Sequence, residues 1–190
     1  MDIYLIRHTK TGTLKGLCYG QTDVALADSF PEEAQQLQLK LPELKPNTLV
    51  FSSPLTRCVQ LAEKLSDNPT IDTRLSELDF GDWESARFDD IDADVLQHWT
   101  DNFVNVAPPN GESFIDLCQR AGSFWQDVVC GMNPAADQVL IITHAGVIRA
   151  LLAHILKLPP ANAFQFRVDV GSVHKLQHLD NYTYINYINL

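Results

Sequence analysis

Hydrophobic residues in this chain occur in short continuous runs that alternate with segments of helical periodicity. Residues 3–6, 49–51 and 139–142 have the length of strands and contain no charged position. Continuous apolar runs of this length are typical of strands that are buried on both faces of a parallel sheet. Because helical segments separate the runs, the pattern predicts β–α–β units and an α/β fold.

Helices are predicted where apolar residues recur at helical spacing or where a capping residue precedes them. Pro31 suits the first turn of one helix, and Ser113 suits the N-cap of another. The predicted helices cover about residues 31–44, 55–65, 113–129 and 145–158. Three short strands are predicted near the end of the chain, at 164–168, 172–179 and 182–188. Gly171 and Asp180-Asn181 join these strands, and we expect them to extend the sheet edge as an antiparallel hairpin.

Together these elements predict a three-layer α/β/α fold with a mainly parallel central sheet, in a single domain spanning residues 1–190. Two stretches do not fit the alternation. Residues 11–28 are irregular and rich in turn formers, which indicates a functional loop. Residues 70–110 contain many acidic and aromatic residues but no long apolar run, which indicates an insertion over the sheet. We expect residues of about 80–110 to form a small lid, with their aromatic side chains used for packing.

Composition excludes several classes of partner. The formal net charge is −10 and the pI is about 4.8, which argues against binding to nucleic acid or to an anionic membrane. The four cysteines lie far apart with no C-x-x-C pair, and the histidines show no metal-ligand spacing, so no metal and no cofactor is expected. With no secretion signal or membrane-length apolar run, we expect a cytoplasmic protein.

Candidate catalytic residues follow the predicted parallel strands. Arg7-His8 comes directly after the first strand, and His144 follows the strand at 139–142. Arg57 lies on the helix that follows Ser53-Pro54 and the strand at 49–51. Ligands of open α/β sheets bind outside the carboxyl ends of parallel strands, so these side chains are expected to converge on one pocket.

The chemistry of this set favours a phosphate ester. The helix that begins after His144 offers free N–H groups at its N-terminus, and the two arginines suit bidentate contacts to oxyanions. A neutral imidazole can attack phosphorus and carry the phosphoryl group until water removes it. A carboxyl group must then serve as acid and base, and Glu77 is the first candidate. Glu84 is the main alternative, although its carboxylate could instead orient a loop through backbone N–H groups.

Five segments, in order along nearly the whole chain, resemble the histidine phosphatases, also called the phosphoglycerate mutase-like superfamily. They are Arg7-His8-Thr9, residues 52–57, residues 77–84, residues 110–113 and residues 143–146. The resemblance implies that His8 is the phospho-accepting nucleophile and that Glu77 is the acid and base. It also implies that Arg7, Arg57 and His144 bind the transferring phosphoryl group.

The resemblance also implies substrate contacts nearby. These are expected at Thr9, Tyr19, Gly20, Gln21 and Ala145. Two residues depart from the common family pattern. Thr9 stands where the family usually has glycine, and Leu14 stands where an asparagine phosphate ligand is often found. A threonine adds a Cβ and a hydroxyl beside the nucleophile, so this departure bears on geometry more than on reaction class.

Within the superfamily, the short chain is most similar to the α-ribazole phosphatase group. The similarity depends on the Gly-Asp-Trp-Glu segment at 81–84 and on Asn-Gly-Glu-Ser at 110–113. It implies a phosphomonoesterase that acts on a small phosphate ester, α-ribazole 5′-phosphate, in cobalamin nucleotide-loop assembly. Three alternatives remain open: a phosphoglycerate mutase, a broad-specificity sugar or nucleotide phosphatase, and an inactive homologue that only binds phosphate.

Overall fold

The computed structural model describes residues 1–131, 136–180 and 182–190. Within them, a single mixed sheet forms the middle layer, and its spatial order is β3-β2-β4-β1-β5-β6. The strands are β1 (Asp2–Arg7), β2 (Thr48–Ser52), β3 (Thr70–Ile71), β4 (Gln138–Thr143), β5 (Val173–Leu179) and β6 (Tyr182–Tyr187). β1 to β4 run parallel, whereas β5 and β6 form an antiparallel pair at the β1 edge. The predicted parallel core and edge hairpin are confirmed.

Successive side chains of a strand point to opposite faces of the sheet, so the apolar central strands need cover on both faces. Helices provide this cover on each face. The α-helices are α1 (Phe30–Gln38), α2 (Thr56–Glu63), α3 (Ala93–Asn102), α4 (Phe114–Phe124) and α5 (Ala145–Ile155). Ile3 and Leu5 of β1 belong to the core under α4 and α5. Tyr4 and Ile6 of the same strand belong to the core under α1 and α2. The predicted three-layer α/β/α fold is therefore confirmed.

The register of the central strands brings the candidate residues to one edge. Arg7, the last residue of β1, is paired with Thr143, the last residue of β4. The next residues of the two strands are His8 and His144, and the His8 N–H donates to the Thr143 carbonyl at 3.0 Å. On the other side of β4, the Ser53 N–H donates to the Ile142 carbonyl. The C-terminal ends of β1, β2 and β4, which are distant in sequence, therefore lie side by side at one edge of the sheet.

Three predicted elements differ from the structure. The helix at 31–44 ends at Gln38, and Pro42 could not have continued it as predicted, because proline lacks a backbone N–H. The helix at 113–129 continues as a π-helical turn, Trp125–Cys130, after α4. The strand at 164–168 is wrong: two prolines start a 3-10 helix, Pro160–Gln165, in this region. Asn181, predicted in the hairpin turn, lies outside the described residues.

The inserted segment consists of two 3-10 turns, Gly81–Trp83 and Phe88–Asp90, followed by α3. Its aromatic rings pack edge to face: the Trp99 ring centroid lies 5.9 Å from Phe80 and 5.6 Å from Trp83. Phe80 and Trp99 also contact the core under α4 and α5. These contacts agree with the packing role expected for the aromatic residues. In the described part of the chain, no helix is long and apolar enough to cross a membrane.

Candidate active site

His8 is held as a neutral imidazole with one free nitrogen. Its side chain is 4% exposed, and Nδ1 lies 2.7 Å from the Thr9 carbonyl oxygen. A carbonyl can only accept, so Nδ1 carries the proton and Nε2 keeps its lone pair. Burial, followed by the charge of Arg57, lowers the pKa of His8 to about 3, although the Thr9 hydrogen bond opposes the change. At physiological pH, Nε2 is therefore available as a nucleophile.

His144 packs against His8, with ring centroids 5.1 Å apart, and is fully buried. The Arg57 Nε–H donates to His144 Nδ1 at 3.3 Å. Because Nδ1 accepts, the proton of the neutral ring is on Nε2, which donates to the Ser53 hydroxyl at 2.8 Å. Burial, followed by the neighbouring His8 and Arg57, lowers the pKa of His144 well below its usual value. Ser53 thus fixes the orientation of the second histidine.

Two guanidinium groups from different elements lie close enough to His8 for their charges to lower its pKa. Arg57, at the start of α2, is 1% exposed, and it donates to the carbonyls of Gly20 and Thr22. Arg7 Nη1 donates to the Val168 carbonyl at 2.8 Å. The Arg7 Nε–H and the Thr9 hydroxyl are buried without a hydrogen-bond partner among the described residues. Buried donors are costly when unsatisfied, so an anion that accepts from them would be stabilised here.

The carboxylate of Glu77 lies at the N-terminus of α5. Its Oε2 accepts from the Gly146 N–H at 3.1 Å, and its Oε1 accepts from the Leu78 N–H at 3.0 Å. A Cβ on Gly146 would lie 2.3 Å from Glu77 Oε1, so only glycine permits this close approach. The field of Glu77 acts on Arg7, where it opposes the lowering of the arginine pKa by burial. Glu77 therefore lies close to Arg7 and to the first turn of α5.

The other candidate carboxylate, Glu84, is hydrogen-bonded mainly to the loop at residues 20–22. It accepts hydrogen bonds from four backbone N–H groups and from the Thr22 hydroxyl. The four N–H groups belong to Gly20, Gln21, Thr22 and Phe80. Burial raises the pKa of Glu84, but these hydrogen bonds outweigh burial and lower the pKa from its ordinary value. Glu84 has the environment of a carboxylate that orders residues 20–22.

The predicted substrate-side residues lie around this loop, with unequal access. Tyr19 packs under the Arg57 guanidinium, 5.5 Å from ring centroid to Cζ, and its hydroxyl lies 3.0 Å from Thr11 Oγ1. Gln21 is exposed, but its amide donates to the Glu77 carbonyl at 3.2 Å. Gly20 is buried, and its carbonyl accepts a hydrogen bond from Arg57. Ala145 is the first residue of α5 and half-buried.

An open pocket of about 550 Å³ leads from Arg7 and His8 to the surface. Its outer wall is partly apolar, since it includes Leu14, Leu17 and Val170. Leu14, at the position where the family often has asparagine, is 76% exposed and lies at this outer wall. The pocket therefore has a buried end with Arg7 and His8 and an open end where these apolar side chains stand beside Lys10 and Lys15.

Comparison with known proteins agrees with this geometry. The sequence profile of the histidine phosphatase superfamily (branch 1) matches residues 3–190. The chain belongs to the histidine phosphatase superfamily. It is 31% identical over 181 residues to the adenosylcobalamin/α-ribazole phosphatase of Escherichia coli K12, an alignment that covers 90% of this chain and 87% of that protein.

Two solved structures of superfamily members illustrate the likeness. The α-ribazole phosphatase of Shigella flexneri superposes with a TM-score of 0.89 at 29% identity, and the match covers 100% of this chain and 96% of that one. A mycobacterial glucosyl-3-phosphoglycerate phosphatase in complex with inorganic phosphate gives 0.81 at 26% identity, with 100% and 97% covered. As a histidine phosphatase of this kind, the protein is a phosphoric monoester hydrolase.

Sequence reasoning missed several groups that shape this histidine phosphatase site. Ser53 stands in a segment that carries the family resemblance, yet its bond to His144 was not anticipated. The Val168 carbonyl, which accepts from Arg7, belongs to a segment that was wrongly predicted as a strand. No local signal identifies a backbone carbonyl as a partner of a residue 161 positions away. Across the described residues, no cluster of His, Cys, Asp or Glu suits a metal ion.

Proposed function

We propose that this histidine phosphatase hydrolyses α-ribazole 5′-phosphate through a phosphohistidine at His8. The observation that carries the proposal is the neutral, buried His8 ring, whose Nδ1 is bound and whose Nε2 is free beside two guanidinium groups. Arg7 and Arg57 would bind the phosphoryl oxygens, and the N-terminus of α5 adds its positive dipole end. His144 is also proposed to bind the phosphoryl group, a role that requires Nδ1 to take a proton near the bound dianion and the Arg57 Nε–H contact to give way, because both ring nitrogens are engaged here.

In the first step, the His8 Nε2 lone pair attacks phosphorus, so that a P–N bond forms while the P–O bond to the alcohol breaks. Protonated Glu77 gives its proton to the departing alkoxide. In the second step, the Glu77 carboxylate takes a proton from water as that water attacks phosphorus. The P–N bond breaks, inorganic phosphate leaves, and Glu77 is protonated again for the next cycle. Arginines and a helix N-terminus stabilise the charge, so the route requires no metal.

The environments of the two carboxylates support Glu77 rather than Glu84 as acid and base. A general acid needs a proton near the working pH, whereas the five hydrogen bonds to Glu84 favour its charged form. Each Glu77 oxygen accepts one backbone hydrogen bond, and Gly146 leaves it close to α5 and the phosphate-binding residues. Protonating Glu84 would also release residues 20–22, which contact Arg57.

The shape and chemistry of the pocket support a leaving group with an apolar part. The proposed substrate carries a ribose next to the phosphate and a substituted benzimidazole beyond it. Leu14, Leu17 and Val170 line the same pocket as Arg7 and His8, and we propose that they contact this base. Thr9, Tyr19, Gly20, Gln21 and Ala145 are proposed to line the substrate nearer the phosphate. The four cysteines are unpaired, which agrees with a cytoplasmic location.

The test is phosphate release from a panel of esters: α-ribazole 5′-phosphate, 3-phosphoglycerate, nucleoside 5′-monophosphates and p-nitrophenyl phosphate. Each is measured with and without a metal chelator. A kcat/KM for α-ribazole 5′-phosphate at least about tenfold above the others, unaffected by the chelator, supports the proposal. Equal rates on all esters would contradict the proposal that α-ribazole 5′-phosphate is the preferred substrate. Conversion of 3-phosphoglycerate to its isomer would indicate a mutase, and no release at all would indicate a phosphate-binding homologue.

A further inference from the structure

Residues 168–172, which join the last 3-10 helix to β5, are hydrogen-bonded to Arg7 and His8. The carbonyls of Val168 and Ser172 accept from the side chain and the backbone N–H of Arg7, at 2.8 and 3.1 Å. The Gly171 N–H donates to the His8 carbonyl at 3.1 Å. These three hydrogen bonds orient the two residues proposed to bind and accept the phosphoryl group. The segment itself is irregular, so another part of the chain must hold it.

Asn189 holds the near end of this segment with its side chain. Its Oδ1 accepts from the Asp169 N–H at 2.6 Å, and its Nδ2 donates to the Asp169 carboxylate at 2.9 Å. Asn189 has a φ of 61°, in the left-handed region that asparagine adopts more readily than most residues. The position therefore needs both the left-handed backbone and an amide that donates and accepts, and asparagine supplies both.

The backbone of Asn189 reaches the far end of the same segment through a buried histidine. Its N–H donates to His174 Nδ1 at 3.2 Å. Since Nδ1 accepts, His174 Nε2 carries the proton and donates to the Ser172 hydroxyl at 3.1 Å. His174 is fully buried, and burial lowers its pKa to about 4, so the ring is neutral at physiological pH. Asn189 is thus linked to Asp169 directly and to Ser172 through one residue.

We propose that Asn189 is a positioning residue that sets the phosphate affinity of the active site by fixing residues 168–172 against Arg7. Without the amide, Asp169 and Val168 lose the support that keeps the Val168 carbonyl on the Arg7 guanidinium. Arg7 then meets the phosphoryl group in more than one orientation, which weakens binding. The inference rests on the proposed role of Arg7 in phosphate binding. Asn189 itself contacts neither the substrate nor the reacting atoms.

The decisive variant is Asn189→Gly, because glycine keeps the left-handed backbone and removes only the amide. The measurements are the inhibition constant of inorganic phosphate, KM and kcat for p-nitrophenyl phosphate, and the melting temperature. We expect the inhibition constant and KM to rise about five- to tenfold, with a smaller change in kcat. Asn110→Gly is the matched control: Asn110 has a φ of 58° and donates to the Asp82 carboxylate at 2.9 Å, in the inserted segment.

A reciprocal exchange provides a second test that does not depend on the stability of the glycine variant. Asn189→Asp places two carboxylates against each other and should weaken phosphate binding at least as much as Asn189→Gly. Adding Asp169→Asn restores one amide and one carboxylate at the contact, and the inhibition constant should return to within about twofold of wild type. A merely structural role predicts that the melting temperature falls and recovers while the phosphate affinity of the folded protein stays at the wild-type value throughout.

The inference is overturned if folded Asn189→Gly binds phosphate as wild type does, or if Asn110→Gly weakens binding equally. Failure of the exchange to restore affinity also overturns it. Arg7→Ala separates this inference from the proposed function. If Arg7→Ala leaves phosphate affinity unchanged, the proposed role of Arg7 fails. If Arg7→Ala weakens binding and Asn189→Gly does not, only the role of Asn189 fails.

Discussion

The phosphoryl end of the pocket and its leaving-group end differ in burial and in the elements that carry them. His8, Arg57 and His144 are at most 4% exposed, and they follow β1, β2 and β4 directly or within one turn of helix. At the other end, Leu14 and Val170 are 76% and 40% exposed on irregular segments. The groups proposed to react are therefore fixed by the sheet, whereas loops, which tolerate substitution, shape the proposed leaving-group side.

The largest effect is expected at the buried end. His8→Gln removes the nucleophile while keeping a side chain of similar size, so kcat should fall by at least about 10⁴-fold. His154→Gln is the matched control, because His154 lies near the C-terminal end of α5 and contacts Gln126 rather than the pocket. Steady-state phosphate release and circular dichroism check both variants. Turnover by His8→Gln within tenfold of wild type would remove His8 as the nucleophile.

Glu77 and Glu84 provide the next comparison, since the two carboxylates are proposed to act in different ways. Glu77→Gln should lower kcat about 10²- to 10⁴-fold for an alkyl ester such as α-ribazole 5′-phosphate. It should affect p-nitrophenyl phosphate less, because that leaving group needs no protonation. Glu84→Gln should instead lower the melting temperature by removing hydrogen bonds to residues 20–22. If only Glu84→Gln showed the dependence on leaving group, the acid would be Glu84.

The pH dependence of stability gives a further test of Glu84. Its pKa is lowered in the folded protein by hydrogen bonds to the carboxylate, so the folded state favours the charged form more than the unfolded chain does. The resulting stabilisation is complete above the unfolded pKa and is lost as the pH falls through the folded value. The difference in melting temperature between wild type and Glu84→Gln should therefore shrink as the pH is lowered from about 7 to about 3. A difference that stays constant would contradict the assignment.

The smallest effect is expected at the exposed end. Leu14→Asn replaces an apolar contact with the residue type that is common in the family at this position. We expect kcat/KM for α-ribazole 5′-phosphate to fall about three- to tenfold. For glycerol 1-phosphate, which offers no apolar group, the value should not fall. A parallel loss for both esters would mean that Leu14 supports the loop rather than the leaving group.

The two ends also differ in how far the sequence predicts them. Buried parallel strands are continuous apolar runs, so β1, β2 and β4 were predicted to within one residue at each end. Residues at the ends of such strands must meet, which is why His8 and His144 were correctly expected to be neighbours. At this end the local hydrophobic pattern and the global fold agree, so the sequence is sufficient to predict which residues meet.

The leaving-group end depends on contacts between distant loops, which leave no local pattern. Glu84 orders residues 20–22 from 62 or more positions away, and residue 17 forms an isolated bridge with Arg87. The segment from 164 to 168 has the composition of a strand, but Phe164 packs on Phe103, 4.9 Å between ring centroids, and the backbone is 3-10 helix up to Gln165 and irregular after it. In such segments tertiary contacts override β-propensity, and the sequence alone misassigns them.

The most direct test of the proposed phosphohistidine mechanism is a search for phosphate bound to His8 during turnover. Wild-type protein is mixed rapidly with p-nitrophenyl phosphate, quenched in base to preserve phosphohistidine, digested and analysed by mass spectrometry. We expect phosphate on the peptide that contains His8, formed as fast as the first turnover and accumulating further in Glu77→Gln. Product formation without a phosphorylated peptide, or phosphate on any other residue, would contradict it.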